Sequence, residues 1–378
     1  MHIEVQYGDG KECVELPEEN LGEIVHPKDL PPLDETAVLD GAFKNPLGSQ
    51  TLEEFIKRAK DILVVVNDAT RPTPSGRILE SMMPHFQGKT VNYIIPFGPG
   101  GESDVSARLQ EPVFKKLTGQ SLAIQYKPGA GGAAGWAQLN SIAGDGYTVM
   151  GSNLPHIVLQ PLQKDVGYKT DDITTVFWFH FTPDALLVTA DSPFKTLKDF
   201  IEAAKKAPGS ITLSGSGTNS SNHLAQQQFD KMAGIKTTYV PFGGTGPSNT
   251  ALLGKQVGGS FGYSTIQMML GAQVRCLAVA MEARHPKLPD CPTFKEQGYN
   301  LVGGAYRGVA VPKSTPPDVQ AKLADILAKV NADPEFIRKM EEGGFAMINV
   351  GPAQMPGFMA EIKARYEALA KEMGIVKQ

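Results

Sequence analysis

Five stretches of the chain set glycine, serine and threonine between an apolar run and a run of helix formers. They are "IIPFGPGGESDVSARL" at 94–109, "YKPGAGGAAG" at 126–135, "SGSGTNSSNH" at 214–223, "YVPFGGTGPSN" at 239–249 and "GGSFGYST" at 258–265. Strand, bare loop and helix in that order bring backbone N–H groups to a helix N-terminus, where they can hold an anion without any covalent step. The chemistry on offer is therefore non-covalent capture, and the anion is either a nucleotide phosphate or a carboxylate.

The nucleotide option rests on "YKPGAGGAAG", in which Gly129, Gly131 and Ala134 fit G-x-G-x-x-A between a strand and a helix. The fingerprint also requires an acidic residue about 20 positions further on, at the end of a second strand. Asp145 comes early and in a turn, and no Walker lysine follows either of the first two glycine loops. A carboxylate suits the loops better. Asn153 and His156 follow a strand end and can line the same cleft, whereas His223 falls inside a helix opened by Ser220 and Ser221 and reads as a capping or packing residue.

The elements that must carry these loops follow from size and pattern. At 378 residues the chain exceeds the ~250 to 300 that one core usually serves, so several domains are expected. Lys and Arg number 36 against 40 Asp and Glu, for a net charge of -4 with no basic window, which excludes nucleic-acid partners. Cys13, Cys276 and Cys291 lack metal-ligand spacing; three unpaired buried thiols are expected, with a Cys276–Cys291 bridge left open, and neither metal nor cofactor is expected. A secretory leader would begin basic and continue through ~7 to 15 apolar residues. "MHIEVQYGDGKECVELPEENLG" alternates instead and reads as a hairpin without a signal peptide. The longest clean apolar run in the N-terminal part, "ILVVV" at 62–66, is far below the ~20 residues of a membrane span, so no direct membrane insertion is expected.

Residues 1–50 read as two strands, a Pro-rich connector and a short helix; Thr51 then caps a helix bearing Leu52, Phe55 and Ile56. "ILVVVND" follows as a buried strand, "ATRPTPSG" as a stiff turn and "RILESMMPHF" as a helix. From "KTVNYIIPFGPGG" onward, strands alternate with helices, which predicts a parallel α/β sheet. Two such series imply two lobes with facing loop edges. The helices beginning "PPDVQAKL" and "PAQMPGFM" read as scaffold.

Two resemblances add to this reading. "KNPLGS" and "VVVNDATRPTPSGRIL" resemble the N-terminal part of the nickel-dependent lactate racemases, which carry an Asp-x-Thr-Arg-Pro-Thr-Pro signature; the likeness covers residues 1–87. It implies that Asp68, Thr70 and Arg71 face a substrate and cofactor cleft, an Arg beside an Asp being able to fork onto a carboxylate. The seven histidines, at 2, 26, 85, 156, 180, 223 and 285, form no racemase-like cluster past residue 87, and the cofactor-tethering lysine is missing. The segment is accordingly expected to be a non-catalytic remnant or docking domain, and the protein not an enzyme.

From about residue 90 to 376 the chain resembles the substrate-binding proteins of tripartite tricarboxylate transporters, the TctC or Bug family. The blocks "VNYIIPFGPGGESDVSARLQEPVFKKLTGQ", "SGSGTNSSNHLAQQQFDKMAGIKTTYVPFGGTGPSNTALLGKQV", "LAVAMEARHPKLPDCPTFKEQGYNL" and "KSTPPDVQAKLADILAKVNADPEF" occur in the family's order. The resemblance implies a type II periplasmic-binding-protein fold, two α/β lobes around a cleft, with a small N-terminal α/β segment added. It also implies a small carboxylate ligand, transporter subunits as partners and a periplasmic location. Lobe 1 would be 88–195 and 306–378, and lobe 2 would be 196–305. The family pattern maps onto Phe97 as a wall, Gly100, Gly101 and Ser103 as donors and Asp104 as helix cap. From the second lobe it maps onto Ser216, Gly217, Thr218, Ser220 and Ser221, and onto Gly243, Gly244 and Thr245.

Three positions depart from the family pattern: Glu102 replaces a small residue, Gly258 an acidic one, and Tyr306-Arg307 shifts the usual aromatic. A carboxylate at Glu102 repels an anion unless it points to solvent or meets an amine, which admits an amino-acid-like or hydroxylated ligand. Arg307 either forks onto a distal carboxylate or is solvated. The expected function is capture of a di- or tricarboxylate, hydroxy acid or amino-acid-like solute. The rivals are a racemase-type enzyme acting at Asp68 and Arg71, and a cytoplasmic carboxylate sensor.

Overall fold

The computed structural model describes residues 2–7, 10–15, 35–45, 51, 52, 54 and 90–374. Asp68, Thr70 and Arg71, the strand expected at 62–68 and the helix expected at 77–86 lie outside the described residues. The chain divides into two units, residues 1–87 and 88–378. In the first, β1 (His2–Tyr7) and β2 (Gly10–Glu15) form an antiparallel hairpin with His2 opposite Glu15, and α1 (Glu35–Lys44) follows. Thr51 and Glu54 cap each other reciprocally: the Thr51 amide donates to the Glu54 carboxylate at 3.1 Å and the Glu54 amide to Thr51 Oγ1 at 3.2 Å.

The second unit opens with β3 (Thr90–Ile95), α2 (Glu102–Thr118), β4 (Ser121–Tyr126), α3 (Ala133–Trp136), β5 (Thr148–Leu154), α4 (His156–Gln163) and β6 (Thr174–Thr189). It continues through α5 (Leu197–Lys206), β7 (Thr212–Gly215), α6 (Ser221–Ala233), β8 (Thr238–Pro241), α7 (Thr245–Leu253), β9 (Gly259–Tyr263), α8 (Ser264–Leu270) and β10 (Val274–Val279). The chain closes with β11 (Gly304–Val311), α9 (Pro317–Asn331), α10 (Pro334–Glu342), β12 (Ala346–Val350) and α11 (Met355–Glu372). Strand order is β4-β3-β5-β11-β6-β9-β7-β8, with β10 and β12 also paired to β6.

The expected parallel sheet is present only in part. β3 runs parallel to β4 and β5, and β7 runs parallel to β8 and β9; β9, β10, β11 and β12 all pair with β6 antiparallel. β6 is the strand the two lobes share. It pairs with β11 along Thr174–Pro183 and with β9 along Asp184–Leu187, changing neighbour at Pro183. Within its second half, Leu186 and Val188 enter one core with Phe200, Phe229 and Phe261, while Ala185 and Leu187 enter another with Leu252, Ile266 and Cys276. That is the two-residue period of a strand buried on both faces. The first lobe has its own core, built on β3, β5, α4, the first half of β6 and the C-terminal helices.

One expectation is overturned. Cys276 and Cys291 form a disulfide, their Cα atoms 5.5 Å apart, so they are not free thiols. The chain beyond β10 doubles back, with the Val279 amide donating to Pro292 O and the Phe294 amide to Val279 O, both at 3.0 Å. This return sets the two sulfurs side by side, a proximity that spacing along the sequence does not reveal. Among the described residues no helix is long and apolar enough to cross a membrane.

Candidate functional site

The loop after β3 is built to bring backbone close to something. Gly100 adopts φ +77°, a left-handed conformation that side chains disfavour, and Gly101 is the N-cap of α2. Asp104 does not act as the N-cap. From the third position of α2 it accepts the Gly100 amide at 2.8 Å, Arg108 Nε at 2.8 Å and the Tyr126 hydroxyl at 2.7 Å. It thereby ties loop, helix and β4 together, and the Gly100 amide is committed to that tie.

Opposite lies the second lobe. Ser220 is the N-cap of α6, accepting the His223 amide at 3.2 Å, and His223 stacks on Tyr239 with ring centroids 4.4 Å apart, the packing role expected of it. Ser221 meets the Tyr263 hydroxyl at 3.0 Å. Gly244 caps α7. The loops of the two lobes touch directly: the Gly98 amide donates to Gly243 O at 2.8 Å, and Asn219 Nδ2 donates to Gln163 Oε1. Two glycines are obligatory at this seam. A Cβ on Gly246 would lie 2.1 Å from Pro99 O, and one on Gly217, whose φ is +137°, would lie 2.7 Å from the Gly131 Cα. Gly131 and Thr218 likewise face each other, a Cβ on Gly131 falling 2.7 Å from Thr218 O. The loop that mimics a dinucleotide fingerprint thus serves as a contact between lobes, and the helix after it, α3, has only four residues.

Where the loops converge they enclose a cavity of about 10 Å³, room for one water. Phe97, Gly98, Gly101, Glu102 and Ser103 line it from the β3 loop and α2, Asn153 and His156 from the end of β5 and the start of α4, and Arg307 from β11. Ser216, Thr245 and Tyr263 complete it from the second lobe. Of the residues expected from sequence, Phe97, Gly101, Ser103, Asn153, Ser216, Thr245 and Arg307 are brought together. Gly100, Asp104, Gly217, Thr218, Ser220, Ser221, Gly243 and Gly244 stand behind them as loop and cap residues. Tyr263 was missed, although it ends β9 just ahead of Ser264 and Thr265, the same strand-then-hydroxyl signal seen elsewhere.

The open questions at Glu102 and Arg307 are answered together. Both are buried, at 1% and 4% exposure, so neither is solvated. Arg307 Nη2 lies 3.5 Å from Glu102 Oε2, and Glu102 Oε1 accepts the Thr265 hydroxyl at 2.8 Å. Arg307 Nη1 donates to Thr182 Oγ1 and Ala305 O, both at 3.1 Å, and the guanidinium sits 4.5 Å from the Tyr263 ring centroid. Glu102 Oε2, Asn153 Oδ1 and Arg307 Nε have no hydrogen-bond partner among the described residues. Burial, reinforced by the Arg307 charge, pushes His156 down to about 3, so it is neutral at pH 7. Asp184, buried at the point where β6 changes neighbour, is pushed up to about 7 by burial against the opposing pull of Ser221, Asn222 and Arg307. Among the described residues the lining holds one cation matched by one carboxylate with neutral groups around them; closed, it has room for one water, so a larger solute enters with the lobes apart.

Comparison with known proteins points the same way. The sequence profile described as "Tripartite tricarboxylate transporter family receptor" matches residues 105–375, and that of the lactate racemase N-terminal domain matches residues 7–95. A Cupriavidus necator protein described as "UPF0065 protein in gbd 5'region" is 27% identical over 298 residues, covering 77% of this chain and 90% of its own. A lactate racemase of Thermoanaerobacterium thermosaccharolyticum is 29% identical over 91 residues, 23% of this chain and 21% of the racemase. Among solved structures, the periplasmic binding protein BugD superposes with TM-score 0.71 at 28% identity, covering 77% of this chain and 99% of that one. An R. palustris protein solved with adipate gives TM-score 0.72 at 26% identity, with 77% and 99% covered. MatC from Rhodopseudomonas palustris with bound malate gives 0.70 at 26%, with 75% and 99% covered.

Proposed function

The chain belongs to the tripartite tricarboxylate transporter family of receptors, and from that premise we propose that it is a solute-binding protein closing two lobes on a small carboxylate. The captured solute is handed to the membrane subunits of such a transporter. In this reading lobe 1 comprises 88–195 with 306–378 and lobe 2 comprises 196–305, the second half of β6 packing with lobe 2. The observation that carries it is the cavity at the meeting of the α2 and α7 N-termini, lined by Gly101, Ser103, Ser216, Thr245 and Arg307 together with Glu102. Two similar structures, one with adipate and one with bound malate, make a carboxylate the ligand class to test first.

Residues 1–87 are, in the same reading, a non-catalytic segment, and the protein is not an enzyme. What supports this is that the racemase likeness covers only 21% of the racemase and ends at residue 95, the last residue of β3. A periplasmic site of action fits both the family and the Cys276–Cys291 bridge, since disulfides persist in oxidising compartments. The rival with an observation behind it, isomerisation at Asp68 and Arg71, rests on the profile match over 7–95.

A thermal-shift panel of dicarboxylates, tricarboxylates, hydroxy acids and amino acids separates the readings. A ligand at 100 times its Kd stabilises by ~2.7 kcal/mol. At least one acid should raise the Tm, Arg307→Lys should shrink that shift by removing the guanidinium fork, and Arg71→Ala should leave it intact. A shift abolished by Arg71→Ala and untouched by Arg307→Lys would sink the proposal.

A further inference from the structure

Most of the residues that line the cavity are neutral, among them Gly98, Gly101, Ser103, Asn153, Ser216 and Thr245. Such groups accept a carboxylate of any kind and discriminate poorly among them. Glu102 is different. It begins α2, its side chain is fully buried, and it lines the same cavity. Thr265 occupies Oε1, while Oε2 makes no hydrogen bond among the described residues and stands 3.5 Å from Arg307 Nη2, longer than the ~2.7 to 2.9 Å of a tight charge-assisted bond.

The charge balance follows. Among the described residues that line the cavity Arg307 is the one cation, and Glu102 already offsets it. A ligand carrying only carboxylates would enter a site with no spare positive side chain, facing a buried carboxylate that repels it. A ligand carrying an ammonium beside its carboxylate brings its own counter-charge. Its acid end can take the loop amides and Arg307, and its ammonium can donate to the free Glu102 oxygen.

We propose that Glu102 is the specificity-determining residue of the cleft, selecting carboxylates that present an ammonium group over their deaminated counterparts. The inference rests on the carboxylate-binding reading above and narrows its ligand class.

The test uses matched pairs with and without the amine: aspartate against succinate, glutamate against glutarate, and alanine against propionate. Affinities are measured by calorimetric titration on the full chain. In the wild type at least one amine-bearing member should bind ten-fold or more tighter than its partner. Glu102→Gln keeps an oxygen for the Thr265 hydroxyl, so closure is retained; it should lose at least ten-fold for the amine-bearing acid and bind the deaminated one more tightly than the wild type does. Deaminated acids binding the wild type as tightly as their partners overturns the selection, as does an unchanged ratio in Glu102→Gln, while the carboxylate reading stands. If none of these acids, nor malate, adipate or citrate, binds the wild type, both fall. The wild-type ratio decides the matter even should Glu102→Gln fail to fold.

Discussion

Asp184 and His156 are both buried with their charged forms disfavoured, and they pull the pH dependence of stability in opposite directions. The folded-state pKa of Asp184 is raised to about 7, so its contribution to stability is complete below the unfolded value near 3.8 and is lost as pH climbs towards 7. His156, lowered to about 3, contributes fully above the unfolded value of 6.5 and loses that contribution as pH falls towards 3. Replacing Asp184 by Asn removes the first slope only. The Tm of Asp184→Asn relative to wild type should therefore rise progressively between pH 4 and 7, by the equivalent of a few kcal/mol, and level off above. A difference that stays flat from pH 4 to 8 would refute this. At this scale the sequence was partly legible. Glu102 and Arg307 stood out as charges in unusual places, but their pairing, and Thr265 beneath it, depends on segments that meet only through the sheet. Tyr263 ends β9 just ahead of Ser264 and Thr265, where an aromatic is more often core than cavity wall.

Among the elements, those with local signals were readable. Proline opens α9 in its first turn as expected, whereas α2, expected to be capped by Asp104, has Gly101 as its N-cap. β6 was not readable as one strand. Pro183 looks like a breaker, yet it falls where the strand trades β11 for β9. There Asp184 is held by backbone from both sides, its amide donating to Gly303 O at 3.0 Å and its carbonyl accepting the Ala280 amide at 2.8 Å. The glycine loops carry a prediction of their own. Gly246 lies inside α7 with ordinary φ, so alanine suits the helix and only the approach of Pro99 O at 2.1 Å opposes it. Gly246→Ala should spare the separate lobes and obstruct their closure. Overpacking of ~1 to 3 kcal/mol corresponds to a loss of ligand affinity of roughly five-fold to 150-fold. Small-angle scattering with saturating ligand should then give a larger radius of gyration than wild type; equal radii and equal affinity would count against a closed seam at this point.

For the molecule as a whole, the two-lobed plan was legible because strand, glycine loop and helix recur in two series; the antiparallel joining strands were not, since a buried strand reads the same in either direction. The disulfide escaped for a related reason: the turn that returns Cys291 to β10 is tertiary. Closing a loop across the sequence separation of 15 restricts the unfolded chain by about 3 kcal/mol, so the double change Cys276→Ala with Cys291→Ala should lower the Tm by several degrees. Reductant should reproduce the loss in wild type and do nothing to the variant. Indifference of the wild type to reductant would show that the bridge does not form.

β11 lies between β5 and β6, although it is made long after both. A nascent chain leaving the ribosome consequently holds two halves of an unfinished sheet, with the slot between them filled only when Gly304–Val311 emerges. Within residues 88–378, β5 and β6 are joined through β11 only once that late strand has been made, so the first lobe completes its sheet near the end of translation.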